Sequence, residues 1–303
     1  MTERNQDQPT APPVARRKRR PAWLREIRGS IAAATFMLVG VLLIAFAVPL
    51  LPGFDPYGQD LSAGYLQPFQ SSDDRFHLFG TDPLGRDYLS RISRGTQVSL
   101  LIGFSAMMVS LVIGVTLGLI AGFFRGATES VIMGIADLQL SIPRILLLIA
   151  VTAVIGASLL NLALLLGFTG WVSYGRVARA MALSLREREF VLSANTQGAS
   201  STWNIRKHLL PNVLPQMVIV GSYELGLIII IESSISYLGL GIQPPLPSLG
   251  LMISEGQTYL GLNPWISILP GISIFLMVAG TQFMSQRFTT EGGAGNVRAN
   301  RTT

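Results

Sequence analysis

The chain has 303 residues, 49% of them hydrophobic and only 13% charged, with a net charge of +6 and a mean hydropathy of +0.46. Soluble domains carry about 25% charged residues, so this balance excludes an ordinary soluble domain and points to a membrane protein. There is no cysteine, which excludes a disulfide framework, a thiolate metal site and a thiol nucleophile.

About 20 apolar residues span a bilayer core, and the chain parses by that length into an all-α protein with six transmembrane helices. Residues 1–29 form a basic N-terminal tail, unstructured to about Arg20, with seven basic residues from Arg16 to Arg28 directly ahead of the first apolar run. Position beside a span marks them as a cytoplasmic cluster facing anionic headgroups. A nucleic-acid-binding tail would interleave aromatic residues with the basic ones; here only Trp23 does so, and it fits an interfacial anchor. The first span, 31–51, is too long for a signal h-region and ends Pro49-Leu50-Leu51-Pro52 with no small-residue cleavage site, so it stays as an anchor.

With the loop that follows, this span makes a unit of residues 30–97. Within the loop, Asp82 stands as an N-cap before Pro83, and Leu84, Tyr88 and Ile92 recur at four-residue steps. The pattern predicts a short amphipathic helix on the outer surface, lying at the membrane or simply solvated. The core permits five further spans within 98–287: residues 98–123, 131–155, 159–177, 213–240 and 265–284. The second span carries the small-residue ridge Gly114, Gly118, Gly122, suited to close approach of another helix in the same subunit or in a partner. The third is interrupted by Asp137, Pro143 and Arg144, and the proline predicts a kink.

Between the fourth and fifth spans lies a patterned polar loop, 184–212. It reads as a helix outrunning its span, a turn at Gly198, a second short helix capped by Ser200 or Ser201, and a stop at Pro211. After the fifth span, Pro244, Pro245 and Pro247 impose an extended path, and Ser248 is placed to cap a short helix to about Tyr259. Residues 288–303 read as an unstructured C-terminal tail. Eighteen of the 23 basic residues fall on the side of the termini and of the 184–212 loop, against four in the loop after the first span. That asymmetry puts both termini and the 184–212 loop in the cytoplasm.

Ionisable residues inside lipid cost about 2.5–3.5 kcal/mol on insertion scales, so Glu224, Glu232 and Arg144 each need a reason to be there. The carboxylates can face a polar path through the bundle and meet a ligand's amino groups, or serve as protonated or paired groups that hold helices together. Arg144 calls for a carboxylate partner, and Asp137, near a helix end, is either paired or solvated. An intramembrane enzyme using Glu224, Glu232 or Asp137 as acids and bases would need a nucleophile or metal set nearby. The two histidines, His77 and His208, lie on opposite sides of the predicted topology and cannot share a metal.

Several stretches resemble one family, the C-type permease subunits of dipeptide and oligopeptide ABC importers. They are Phe79-Gly80-Thr81-Asp82-Pro83-Leu84-Gly85-Arg86-Asp87, Ser184-Leu185-Arg186-Glu187-Arg188-Glu189-Phe190, Gly198-Ala199-Ser200, His208-Leu209-Leu210-Pro211-Asn212-Val213-Leu214-Pro215, and Ser236-Tyr237-Leu238-Gly239-Leu240-Gly241-Ile242-Gln243-Pro244-Pro245. Their order and placement between spans carry the resemblance over about residues 30–287. It implies a type I importer permease in the bacterial inner membrane, without catalytic residues or a cofactor of its own. Leu192, Ser193, Ala194, Asn195, Thr196, Gln197, Gly198, Ala199 and Ser200 would couple to an ATPase, and Glu224, Glu232 and Arg144 are candidates for the translocation path. The implied partners are a homologous second permease, two cytoplasmic ATPases that bind ATP and Mg, an extracytoplasmic peptide-binding protein and membrane lipid. The absence of a Gly-x-x-x-x-Gly-Lys-Ser/Thr run agrees with ATP being bound elsewhere. Two departures stand out: Leu192-Ser193-Ala194 replaces the family's Glu-Ala-Ala, and Leu249 replaces a common Trp. Nickel chelates or another small solute remain alternative cargoes for the same architecture.

Overall fold

A backbone crossing hydrocarbon must satisfy its own hydrogen bonds, and the apolar runs of this chain do so as helices. The computed structural model describes residues 22–72 and 75–299, with side chains from 32 to 285 apart from that gap; most of the expected basic tail lies outside the described residues. Helix α1 (Ala22–Leu42) continues through a π turn and a 3-10 turn to Leu50. A hairpin of β1 (Gln70–Ser72) and β2 (Arg75–His77) sits in the loop that follows. Then come α2 (Tyr88–Phe124), α3 (Gly126–Leu140), α4 (Arg144–Ile155) and α5 (Leu159–Leu185). The remaining elements are α6 (Glu189–Thr196), α7 (Ser201–Asn204), α8 (Leu210–Tyr237), α9 (Leu249–Gln257) and α10 (Trp265–Ala299).

Four helical stretches, 32–50, 88–124, 201–237 and 265–285, are long and apolar enough to cross a membrane, and α3 with α4 makes a fifth as a pair bent by 83°. The predicted fourth span falls on α5, whose 27 residues extend about 40 Å. It packs most extensively on α2, along the ridge of small residues. A Cβ at Gly122 would lie 2.6 Å from Ala182, and one at Gly114 or Gly118 would strike backbone of α5. Residues rising along α2 meet residues rising along α5, so the two run parallel, and the bent α3–α4 pair is the return limb between them. Helix α8 runs antiparallel to α2, with Gly103 against Leu225 and Ile229, and Gly221 against Met107 and Tyr174.

Four expectations need correction. No separate amphipathic helix forms at Asp82. Its carboxylate accepts from the backbone N–H groups of Leu84 (2.9 Å) and Arg86 (3.0 Å) in a turn, while Asp87 caps α2 through Ser90 N–H at 2.8 Å. Asp82 also pairs with Arg86 and Arg91, a buried demand for a carboxylate that outcompetes capping. The kink at Pro143 is a full break, since Ser141 and Ile142 turn the chain before the proline opens α4. Pro211 ends nothing: 201–237 is one helical stretch, and a π turn at Ile205–Leu209 offsets the hydrogen-bond ladder just before the proline, which lacks an N–H donor. Finally, helical backbone extends through α10 to Ala299, across most of the segment expected as tail, because propagating a formed helix is far easier than nucleating one.

Candidate functional site

At the end of the bundle opposite the 51–87 loop, α5 stops at Leu185, and a turn through residues 186–188 leads into α6. The predicted outrunning helix is therefore two helices, with the break among three charged residues. Helix α6 closes in a Schellman arrangement: Ala199 N–H donates to Ala194 O and Gly198 N–H to Asn195 O, both at 3.0 Å. Gly198 supplies the left-handed residue at φ +83°. Ser200 then caps α7 by accepting from Trp203 N–H at 3.2 Å, as its type and position predict.

Two interactions fix this hairpin to the bundle. Val191 is wholly buried among Leu209, Val213, Met217, Tyr174, Ala178 and Ala182. Complete burial of a valine stabilises the attachment by about 1.5–3 kcal/mol. Asn204 Nδ2 donates to Asn195 Oδ1 at 2.7 Å, joining the two arms. The outer surface sets three large apolar side chains among neutral polar ones: Phe190, Leu192 and Trp203 are 44%, 51% and 46% exposed beside exposed Ser193, Asn195, Thr196 and Gln197, and His208 meets Phe190 and Trp203 at a tilt and edge-on with ring centroids 5.4 and 5.0 Å away. This is a rigid, shaped projection with an uncharged tip. The residues from Leu192 to Ser200 all lie in α6 and its turn.

Deeper in the bundle, Arg144 opens α4 immediately after the 83° break. Its Nε donates to Thr169 Oγ1 (3.1 Å) and its Nη2 to Leu166 O (3.0 Å), both on α5, while Nη1 lies 3.5 Å from Glu224 Oε2 on α8. Asp137, also near that break, pairs with Arg176 of α5 at 2.6 Å on an exposed surface. Arg179, a turn further on, binds Glu129 at 2.6 Å.

Glu232 is held differently. It is fully buried, accepts from Ser99 Oγ of α2 (3.0 Å) and Ser236 Oγ (2.8 Å), and adjoins Ser248. Ser248 occupies the N-cap position of α9 as expected, yet its hydroxyl makes no capping bond. The structure thus brings Arg144 and Glu224 together and places Glu232 apart in a serine cage at the seat of α9. Among the described residues, no three His, Asp or Glu side chains converge as a metal site would require.

Residues 114–289 match the family of binding-protein-dependent transport system inner membrane components. The chain belongs to this family. The match takes in the hairpin, Arg144, Glu224 and Glu232. A dipeptide transport system permease protein of Alkalihalophilus pseudofirmus is 36% identical over 244 residues, 80% of this chain and 79% of the relative. A glutathione transport system permease protein of Pectobacterium atrosepticum is 34% identical over 270 residues, covering 86% and 85%. An oligopeptide transport system permease protein of Bacillus subtilis is 34% identical over 259 residues, covering 86% and 84%. Among solved structures, a chain of the inward-facing MetNI methionine ABC transporter superposes with TM-score 0.53 at 20% identity, covering 66% of this chain and 95% of that one. This likeness supports the fold. The protein is accordingly a multi-pass permease of the inner membrane.

Sequence reasoning missed several contributors to these sites. Thr169 and Tyr174 are unremarkable letters on α5 until packing sets them beside Arg144 and Glu224. Phe190, Trp203 and His208 were visible as aromatic residues in a polar loop, and that contrast was a usable signal.

Proposed function

We propose that this protein is one half of the translocation path of a di- and oligopeptide ABC importer, moved by ATPases bound at the α6–α7 hairpin. The observation that carries this reading is the hairpin itself: anchored through Val191, closed by Gly198, and offering Phe190 and Leu192 of α6 and Trp203 of α7 outward, with α7 continuous with α8. A surface of that shape has no use in an isolated membrane bundle and suits insertion into a groove. The relatives described above are named for dipeptide, glutathione and oligopeptide transport, which supports a peptide cargo.

On this reading the hairpin end is cytoplasmic and the 51–87 loop faces outward, toward a peptide-binding protein. A homologous permease completes the pore. The chain hydrolyses no ATP; two separate ATPase subunits bind ATP and Mg. Arg144 and Glu224 lie on the path, whereas Glu232 serves as a structural anchor for α9. Affinity purification from native membranes should bring down a second permease and two ATPases, and the reconstituted complex with its binding protein should import peptides in an ATP-dependent manner. Recovery of the chain alone, or uptake indifferent to ATP, would refute the proposal.

A further inference from the structure

Two ion pairs that tie α3 to α5, Asp137 with Arg176 near the α3–α4 break and Glu129 with Arg179 at the start of α3, are close, at 2.6 Å. The Arg144–Glu224 pair is not. At 3.5 Å it lies beyond ordinary N–H···O length, and Glu224 Oε2 accepts no hydrogen bond from any described residue although Glu224 is only 2% exposed. A buried carboxylate left this loosely engaged is costly, so the arrangement is a poor structural clamp.

The arginine is nevertheless held in place from behind. Thr169 Oγ1 and Leu166 O fix its Nε and Nη2, and the guanidinium passes over Gly170, where a Cβ would lie 3.0 Å from Nη2. Nη1 is thereby aimed from α4 toward Glu224 on α8. The Tyr174 hydroxyl, further along α5, is also buried without a hydrogen-bond partner among the described residues and faces Gly221, one turn before Glu224. Two buried polar atoms with unused hydrogen-bonding capacity therefore flank a preoriented cation that keeps 24% of its side-chain surface exposed.

We propose that this is a site for the charged termini of the cargo. Each charge exchanges its protein partner for one terminus of the cargo in turn, Arg144 for an α-carboxylate and Glu224 for an α-ammonium, since at 3.5 Å the closed pair cannot span both ends of one peptide; between cargoes the two protein charges neutralise each other. The ligand class is a short peptide with both termini ionised; the inference rests on the peptide reading above and deepens it. Arginine suits the carboxylate because its planar fork matches two oxygens, and Glu224 suits an ammonium because its buried Oε2 has unused accepting capacity.

The test uses the complete importer with its binding protein in proteoliposomes. A tripeptide, its N-acetyl form and its C-terminal amide are each supplied at saturating occupancy of the binding protein. The same binding protein serves every arm, so its own preference cancels when uptake ratios are compared between variants. Glu224→Gln should reduce the preference for the free over the N-acetyl peptide about tenfold and leave the free-to-amide ratio unchanged. Arg144→Gln should do the reverse. Ratios that stay at their unaltered values, or that fall together in both variants, would overturn the terminal-charge site while leaving the peptide reading intact. Absence of uptake of any peptide by the unaltered complex would instead remove the peptide reading and this inference with it. Should Arg144→Gln fail to assemble, the nearly isosteric Glu224→Gln arm decides alone.

Discussion

A valine at position 198 would have to hold φ near +83°, a conformation that a β-branched residue adopts with strain on the order of 1–3 kcal/mol. Among the described residues nothing lies within 4 Å of the Cβ it would add, so the effect is conformational and not a clash. Gly198→Val should therefore leave expression and membrane insertion near normal while weakening ATPase attachment or uncoupling hydrolysis from uptake, read by pull-down and by uptake per ATP. Gly198→Asn, better suited to the left-handed region, should lie between the two. The exposed tip, from Phe190 to Trp203, mixes large apolar with neutral polar side chains and carries no charge, so ATPase attachment should also survive high salt, which screens exposed ion pairs but not apolar contacts. At Glu232, the glutamine variant keeps one acceptor oxygen for one serine and can donate from its amide nitrogen to the hydroxyl oxygen of the other, whereas Glu232→Leu strands both hydroxyls at about 1–3 kcal/mol each. Thermal stability of the detergent-solubilised protein should separate the two. Gly198 and Ser200 were legible in sequence because turn and cap chemistry is local. Thr169 and Tyr174 were not, because their surroundings are supplied by α4 and α8, more than twenty residues away.

Elements in this chain announce themselves more clearly than their neighbours do. The Gly114, Gly118, Gly122 ridge marks a helix that something approaches closely, but only the fold shows that α5 is the partner, within the same chain and running parallel. Gly118→Leu would drive a side chain into the backbone at Gly175 and into Ala178, at a cost above the usual 1–3 kcal/mol of overpacking. The yield of folded, monodisperse protein should fall severely. Gly134→Leu on α3, where nothing lies within 4 Å, should leave that yield unchanged and serves as the control. The prolines teach the same lesson from another side. Pro143 and Pro211 read alike as interruptions, yet the first sits at an 83° break and the second inside a continuous helix. The difference lies in the preceding turn, because the π turn at Ile205–Leu209 absorbs the missing donor and the Ser141-Ile142 bend does not.

For the molecule as a whole, composition and run length sufficed for a helical membrane bundle, and loop text sufficed for the family. Neighbour relations had to come from the fold. Arg144 illustrates the gap: its charge in an apolar run demands an acid, but Glu224 and Glu232 were equal candidates until α8 was seen to place one near the α3–α4 break and the other near Ser99. Removing Arg144 alone leaves Glu224 buried without its counter-charge, a loss on the order of 3–5 kcal/mol. Arg144→Met should accordingly lower the yield of folded protein, and adding Glu224→Leu should restore part of it without restoring uptake. A double variant no more stable than Arg144→Met would show that the two charges do not balance each other across α4 and α8.

The uninterrupted helical stretch from Ser201 to Tyr237 has a further consequence. Its 37 residues measure about 55 Å, with the hairpin at one tip and, at the other, Ser233, whose backbone is packed so closely on Gly250 that α9 sits directly against it. Such a rod behaves as a seesaw: a tilt of about 5° around its middle displaces the two tips by roughly 2.4 Å in opposite directions. The two faces of the membrane then cannot be set independently. By thermodynamic reciprocity, whatever engages the α9 end must alter the affinity of the hairpin for its partner by the same factor that the partner alters binding at α9.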